Sequence, residues 1–323
     1  MAGRESLDGK LATIRALRGQ EPTPEQIAEL RKRIGDRSNL VAAAAAAIVG
    51  ESLLVELSKD LESAFDRFLV NPPKDDKLCR AKLAIIQALD KMEHQDSDVF
   101  LKAAKHVQFE PVWGGTEDSA PPLRAAALVA LARAEGSSSL PILVDALADP
   151  AKDVRVAAAV ALGAVGGEGA GLVLRLKVRV GDKDPDVLSE CLGGLLAVDP
   201  KLNLPLVSEF LEPGNAATCE AAAMALGRSR LAESLQLLKD CLQRCHSEEL
   251  RQYVLLAIAI LRRPAAIDYL IELVVSEEES IAVAALSALR IHKDDPHFRE
   301  RVAKAVQERA IPKLQAAFDR DFR

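Results

Sequence analysis

Aromatic residues are scarce: 8 Phe, 2 Tyr and one Trp in 323 residues. A face that stacks on nucleobases needs more of them. A basic excess is missing as well, since 42 Lys and Arg stand against 48 Asp and Glu, for a net charge of −6. None of the three thirds of the chain is basic, which argues against a general binder of phosphate backbones. The longest apolar run, residues 40–50 (LVAAAAAAIVG), is about half of what a membrane-spanning helix requires. Residues 1–19 carry charges throughout and no apolar core, so no secretory signal is expected. The five cysteines (Cys79, Cys191, Cys219, Cys241 and Cys245) are odd in number and dispersed through apolar segments. That distribution predicts reduced thiols in the cytoplasm, not a disulfide framework. No P-loop, dinucleotide fingerprint, Gly-x-Ser-x-Gly or His-Glu-x-x-His occurs.

What the chain does have is Ala, Leu and Val. Hydrophobic residues make up 49%, which excludes a mainly disordered chain. These side chains suit helices packed closely on one another.

The clearest unit is 140–167, LPILVDALADPAKDVRVAAAVALGAVGG. It predicts a helix over 141–148, a stop at Asp149-Pro150, and a second helix over 153–165. Pro141 suits a first helical turn, Asp153 an N-cap, and Gly166-Gly167 a C-cap. With Val154 as register mark, equivalent starts are Leu123, Val187, Thr218, Leu250 and Ile281, at spacings of 31, 33, 31, 32 and 31. Each begins the same apolar pattern at i, i+4, i+7 and i+8, which is one helix face. A preceding helix is expected at 172–180, 204–211, 231–242 and 266–275. Helical pairs repeating at this period make an α-solenoid.

The unit LPILVDALADPAKDVRVAAAVALG, with Asp149-Pro150 followed by Val154-Arg155, resembles a HEAT repeat of the short bacterial type also seen in phycobilisome lyases. The resemblance is good over 121–167, fair to about 290, and weak before 78. It implies an all-α, right-handed α-solenoid of about seven to eight helical pairs with a capping C-terminal helix. The expected organisation is an irregular helical part at 1–77, repeats over 78–295 with an inserted loop at 106–122, and a cap at 296–323, as one continuous solenoid. In such repeats an Arg pairs with a turn Asp. Arg124, Arg155 and Arg251 hold that position and Asp149 is a turn Asp, so these four are expected to organise turns.

Enzymes also use this fold. Deoxyhypusine hydroxylases hold iron through His-Glu dipeptides, and none occurs here. DNA glycosylases of this type need a basic face. No residue can be assigned as a bilin-handling group. Cys241-x3-Cys245-His246 places two sulfurs a helical turn apart, which suits either metal ligands or small buried side chains. The run from His292 to His297 with Asp294 and Asp295 suits a metal or acid/base cluster or, more simply, a turn and helix start. Glycines at 163–171 read as a C-cap and a flexible loop. No metal or cofactor is expected.

Two features point to binding. The insertion carries the sole Trp, Trp113, with Phe109. It serves either as a binding loop or as a plug between imperfect repeats. The second is the face opposite the core pattern, at i+2, i+5, i+6 and i+9 of the second helices. It holds Leu128, Val129, Val156, Val160, Leu192, Leu196, Met224, Leu255, Leu256, Val283 and Leu286. Polar residues belong there on an ordinary amphipathic helix. The pattern predicts an apolar concave groove for a partner helix or peptide, unless neighbouring elements cover it. The expected function is a non-catalytic protein-binding scaffold, with self-association as a further use of the groove and with neither nucleic acid nor membrane as a partner. The alternative is an enzyme or enzyme subunit, bilin lyase-like or, further off, DNA glycosylase-like.

Overall fold

The computed structural model describes residues 5–19 and 22–322. Residues 1–4, 20, 21 and 323, which belong to the expected N-terminal part and cap, lie outside the described residues. The chain divides into two compact units, Met1–Val165 and Gly166–Arg323.

The first unit runs α1 (Leu7–Arg15), α2 (Pro24–Ile34), α3 (Asn39–Glu51), α4 (Ser58–Phe68), the single turn α5 (Pro72–Asp75), α6 (Arg80–Lys91) and α7 (Asp98–Ala104). A hairpin of β1 (Phe109–Val112) and β2 (Gly115–Asp118) follows, then α8 (Pro121–Glu135), α9 (Leu140–Ala146) and α10 (Lys152–Val165). Helices α3, α6, α8 and α10 stack side by side in one row, and α2, α4, α7 and α9 flank them. The segment expected to be irregular thus contributes regular pairs. Thr23 starts α2 with a complete capping box, its hydroxyl taking the Gln26 N–H while the Gln26 side chain takes the Thr23 N–H. In α3 alanine dominates, and Val41, Ala42, Ala45, Ala46, Val49 and Gly50 are all buried.

The second unit comprises α11 (Gly167–Val180), α12 (Pro185–Val198), α13 (Pro200–Ser208), α14 (Ala216–Ser229), α15 (Glu233–Arg244), α16 (Glu248–Ile260), α17 (Pro264–Ser276), α18 (Glu279–Leu289), α19 (Pro296–Arg309) and α20 (Pro312–Asp321). Here α12, α14, α16, α18 and α20 form the row, and the odd-numbered helices flank it. Each unit is a stack of paired α-helices, with the one short hairpin in the first.

Three expectations shift in detail. The glycines of 163–171 do not form a loop: only Gly166 separates α10 from α11, and Gly166 and Gly167 both sit at positive φ (69° and 76°). Helix α10 begins at Lys152, so Asp153 lies in its first turn, where a carboxylate still favours the helix dipole. The C-terminal cap is two helices, α19 and α20, broken at Ala310 in the left-handed conformation (φ 51°). The stretch Pro121–Ala146 is long and apolar enough by composition to cross a membrane. It is not one straight helix, because a 3-10 turn, Gly136–Ser139, divides α8 from α9.

Candidate interaction surface

The insertion is a hairpin, not a loop. Val112 pairs with Gly115, which leaves Trp113-Gly114 as a two-residue turn. Gly114, at φ 94°, takes the left-handed position that such a turn requires. Trp113 therefore stands at the tip, 103% exposed, with Phe109 (61%), Val112 and Val107 exposed below it. The plug reading fails for this reason: both aromatics stand exposed.

The base is the opposite. Glu110 and Gln108 are buried. Glu110 Oε1 accepts from the Leu78 N–H (2.6 Å), the Gln108 amide (2.7 Å) and the Ser119 hydroxyl (2.6 Å). Leu78 and Cys79 both lie at positive φ (59° and 52°), a costly conformation for side chains of that size. This turn frees the Asp76 carboxylate to accept from the Ala81 and Lys82 N–H groups (2.8 and 3.0 Å), capping α6 from outside. Asp76 and Lys82 are fully buried, with Lys82 Nζ 3.2 Å from Asp76 Oδ2 and donating to Gln108 Oε1 at 3.0 Å. Burial lowers the affinity of His106 for a proton, and its Nε2 lies 3.2 Å from Gln108 Oε1.

Arg124 closes the network. Its Nε and Nη2 donate to the two oxygens of Asp149 (3.0 Å each), a bidentate pair across 25 residues. Its Nη1 donates to Asp118 (2.7 Å) and to the His106 carbonyl (3.0 Å). An Arg–Asp pair of the kind the resemblance implies joins Arg124 to Asp149, and it also anchors the hairpin. Arg155 donates to the carbonyls of Asp149 and Pro150 (2.9 and 3.1 Å), and Arg251 to that of Cys245 (3.4 Å).

Burial would raise the carboxyls of Glu110 and Asp118. The donors around them, including Ser119 for the first and Arg124 for the second, outweigh it and hold both below the ordinary range. Groups depressed in the folded state add stability above their unfolded values, about 4 to 4.5, and lose it as pH falls through the lower folded values. Amide exchange in the hairpin, taken relative to the intrinsic rate at each pH, should therefore accelerate in acid. Glu110→Gln should show a smaller acid response; an identical response would remove Glu110 from the anchor.

The apolar groove is only partly where the sequence puts it. Leu128, Leu192, Leu196, Leu255 and Leu286 are buried core residues, not groove lining. Helices α8, α14, α16 and α18 each lie between two row neighbours and pack on a first helix as well, and α12 packs against α11, α13 and α14, so position i+5 is covered. The outward face is the narrower stripe i+2 and i+6. It keeps Val129, Val156 and Val160 in the first unit, with only Val160 clearly exposed at 42%. In the second unit Met224, Leu256 and Val283 are half-buried on it. A hollow of about 500 Å³ lies beside Leu196 and Ala225, and the Arg228–Glu190 ion pair (2.5 Å) crosses that side of the helix row. Another of about 320 Å³ lies beside Leu256 and Val283. These are separate furrows in the second unit.

Reading only the second helices missed an exposed stripe on a first helix. Leu172, Leu176 and Val180 recur at i, i+4 and i+8 of α11, and Leu202 of α13 is exposed as well. The signal was the period itself.

The thiols are buried and unpaired by disulfides. Cys219 of α14 lies 3.5 Å from Cys241 of α15, sulfur to sulfur. Their hydrogen bond holds Cys219 below its ordinary value and Cys241 well above, while burial pushes Cys245 up to about 12. His246 is exposed. In the C-terminal run, Asp295 caps α19 by accepting from His297 and Phe298 N–H groups, and His292 Nε2 lies 2.9 Å from the Ala259 carbonyl. That run is a helix start.

Residues 115–175 match the family model for HEAT repeats. That stretch of the chain carries HEAT repeats. Similar solved structures include three of low identity. One is from the complex of CpcE and CpcF of phycocyanin lyase from Nostoc sp. PCC7120, at 19% identity over 90% of this chain and 96% of that one, with TM-score 0.37. An engineered protein matches at 15% identity over 97% and 93%, with TM-score 0.42. Human deoxyhypusine hydroxylase in complex with glycerol matches at 17% over 88% and 89%, with TM-score 0.28. No curated protein matches the sequence.

Proposed function

We propose that this protein is a non-catalytic scaffold of the cytoplasm that binds a protein or peptide partner, and that the hairpin is its principal contact. One observation carries this reading: a fully exposed indole at the tip of a stalk held by buried bonds. Large aromatic side chains contribute most to protein interfaces when a partner pocket desolvates them. An anchored stalk lowers the ordering cost of binding. The matching partner surface is an apolar pocket or an amphipathic helix. Val129, Val156 and Val160 offer a second, shallower apolar strip in the same unit. HEAT repeats and five unpaired thiols support the interaction role and the reducing compartment.

The test compares wild type with Trp113→Ala in capture from native lysate, followed by titration of the captured partner. Loss of this anchor should weaken binding by about 2–4 kcal/mol, roughly thirty- to a thousandfold. Stability should stay within about 0.5 kcal/mol, because the side chain touches nothing. Trp113 is the sole tryptophan, so its emission should be that of a hydrated indole and should shift to the blue on binding. Undiminished affinity in the variant would refute the hairpin as the contact. Val160→Asp then tests the outward stripe. Leu192→Asp does not, because Leu192 is core.

A further inference from the structure

Glu62 projects from α4, while His94 and Asp96 lie in the connection from α6 to α7. One ligand atom from each lies within 4.8 Å of the other two. His94 Nε2 is 3.0 Å from a Glu62 oxygen, but the approach lacks hydrogen-bond geometry. This nitrogen is buried and has no hydrogen-bond partner among the described residues. A buried polar atom without a hydrogen bond is costly, so its placement calls for an explanation.

The backbone is built to hold these groups. Helix α6 ends in a Schellman motif: the His94 N–H donates to the Leu89 carbonyl and the Glu93 N–H to that of Asp90 (3.0 Å each). Glu93 occupies the left-handed position (φ 53°) that glycine usually takes. The His94 ring packs edge-on against Phe100. Asp96 is oriented by accepting the Asp98 N–H at 3.1 Å. Two carboxylates and an imidazole nitrogen therefore converge from two separate segments.

We propose that Glu62, His94 and Asp96 form a site for a divalent cation of the zinc class. One nitrogen and two carboxylate oxygens suit zinc, whereas calcium and magnesium favour all-oxygen sets. Three protein ligands leave a position for water. A cation bound there supplies the buried nitrogen with its partner and offsets the two facing carboxylates. The sequence reading missed this site because its ligands lie 32 and 2 residues apart, with no metal-binding motif.

The full-length protein is titrated with Zn2+ alone by calorimetry, beside Glu62→Gln and Asp96→Asn. Asparagine at 96 keeps a carbonyl to accept the Asp98 N–H, and the side chain is exposed, so this variant should fold as wild type. The expected result is one Zn2+ per wild-type chain and affinity roughly tenfold or more weaker in each variant. Substituting Co2+ should give a spectrum without thiolate charge-transfer bands. No uptake by wild type, equal uptake by Asp96→Asn, or a thiolate spectrum would each overturn the assignment.

Discussion

Asp76→Ala should destabilise the first unit by about 3–5 kcal/mol, the usual cost of breaking one side of a buried ion pair. Asp76 and Lys82 are both 0% exposed. Without the carboxylate, Lys82 keeps only the Gln108 oxygen at 3.0 Å and the Phe68 carbonyl at 3.4 Å. The same deletion leaves the Ala81 and Lys82 N–H groups at the start of α6 uncapped. Urea unfolding followed by circular dichroism measures the loss. Lys82→Met added to Asp76→Ala should recover part of it, because methionine fills similar space without a charge to desolvate. A loss below about 1 kcal/mol for the single change would mean that water reaches the ammonium, contrary to its burial.

The second large effect reverses a common rule. Replacing glycine by alanine within a helix ordinarily stabilises by about 0.5–1 kcal/mol. At Gly227 in α14 a Cβ would meet the Ala257 carbonyl oxygen at 2.6 Å and its Cα at 3.0 Å. At Gly50 in α3 it would meet the Ala88 Cα at 2.7 Å and its Cβ at 2.9 Å. The opposing atoms belong mainly to the backbone of the next row helix, so a rotamer change cannot relieve them. Gly227→Ala and Gly50→Ala should each destabilise by about 1–3 kcal/mol through overpacking. Gly193 in α12 supplies the control, because its nearest foreign atom is the Arg228 Nη2 at 3.9 Å. Gly193→Ala should therefore stabilise. Thermal midpoints of the three variants decide the matter: if all three rise, the helices are not in contact at the glycines.

The repeat was legible because it is written in local terms. Small residues at i+4 and i+7, Asp149-Pro150 at a turn, and paired glycines after a helix each act within a few residues. What was illegible depends on distant chain. How far neighbours wrap around a second helix decides whether Leu192 is groove or core, and its period is the same in either case. The hairpin was obscured because its strands are four residues each and rely on Glu110 reaching Leu78, 32 residues earlier. The family resemblance marked Arg124 and Asp149 as turn residues without pairing the two, and nothing in the sequence shows that Asp118 shares the same guanidinium. The Cys219–Cys241 contact joins two helices whose facing is set only by packing.

The hairpin closes on itself before the helices resume. The Ser119 N–H donates to the Gln108 carbonyl at 2.8 Å, and the Gln108 N–H to Asp118 at 3.1 Å. Every inward bond comes from 108, 110, 118 or 119, and residues 111–117 are exposed. The tip is therefore an exchangeable cassette. Foreign turns of equal length grafted between Glu110 and Asp118 would inherit a rigid mount, which makes this position a natural place to install a new binding specificity on the scaffold.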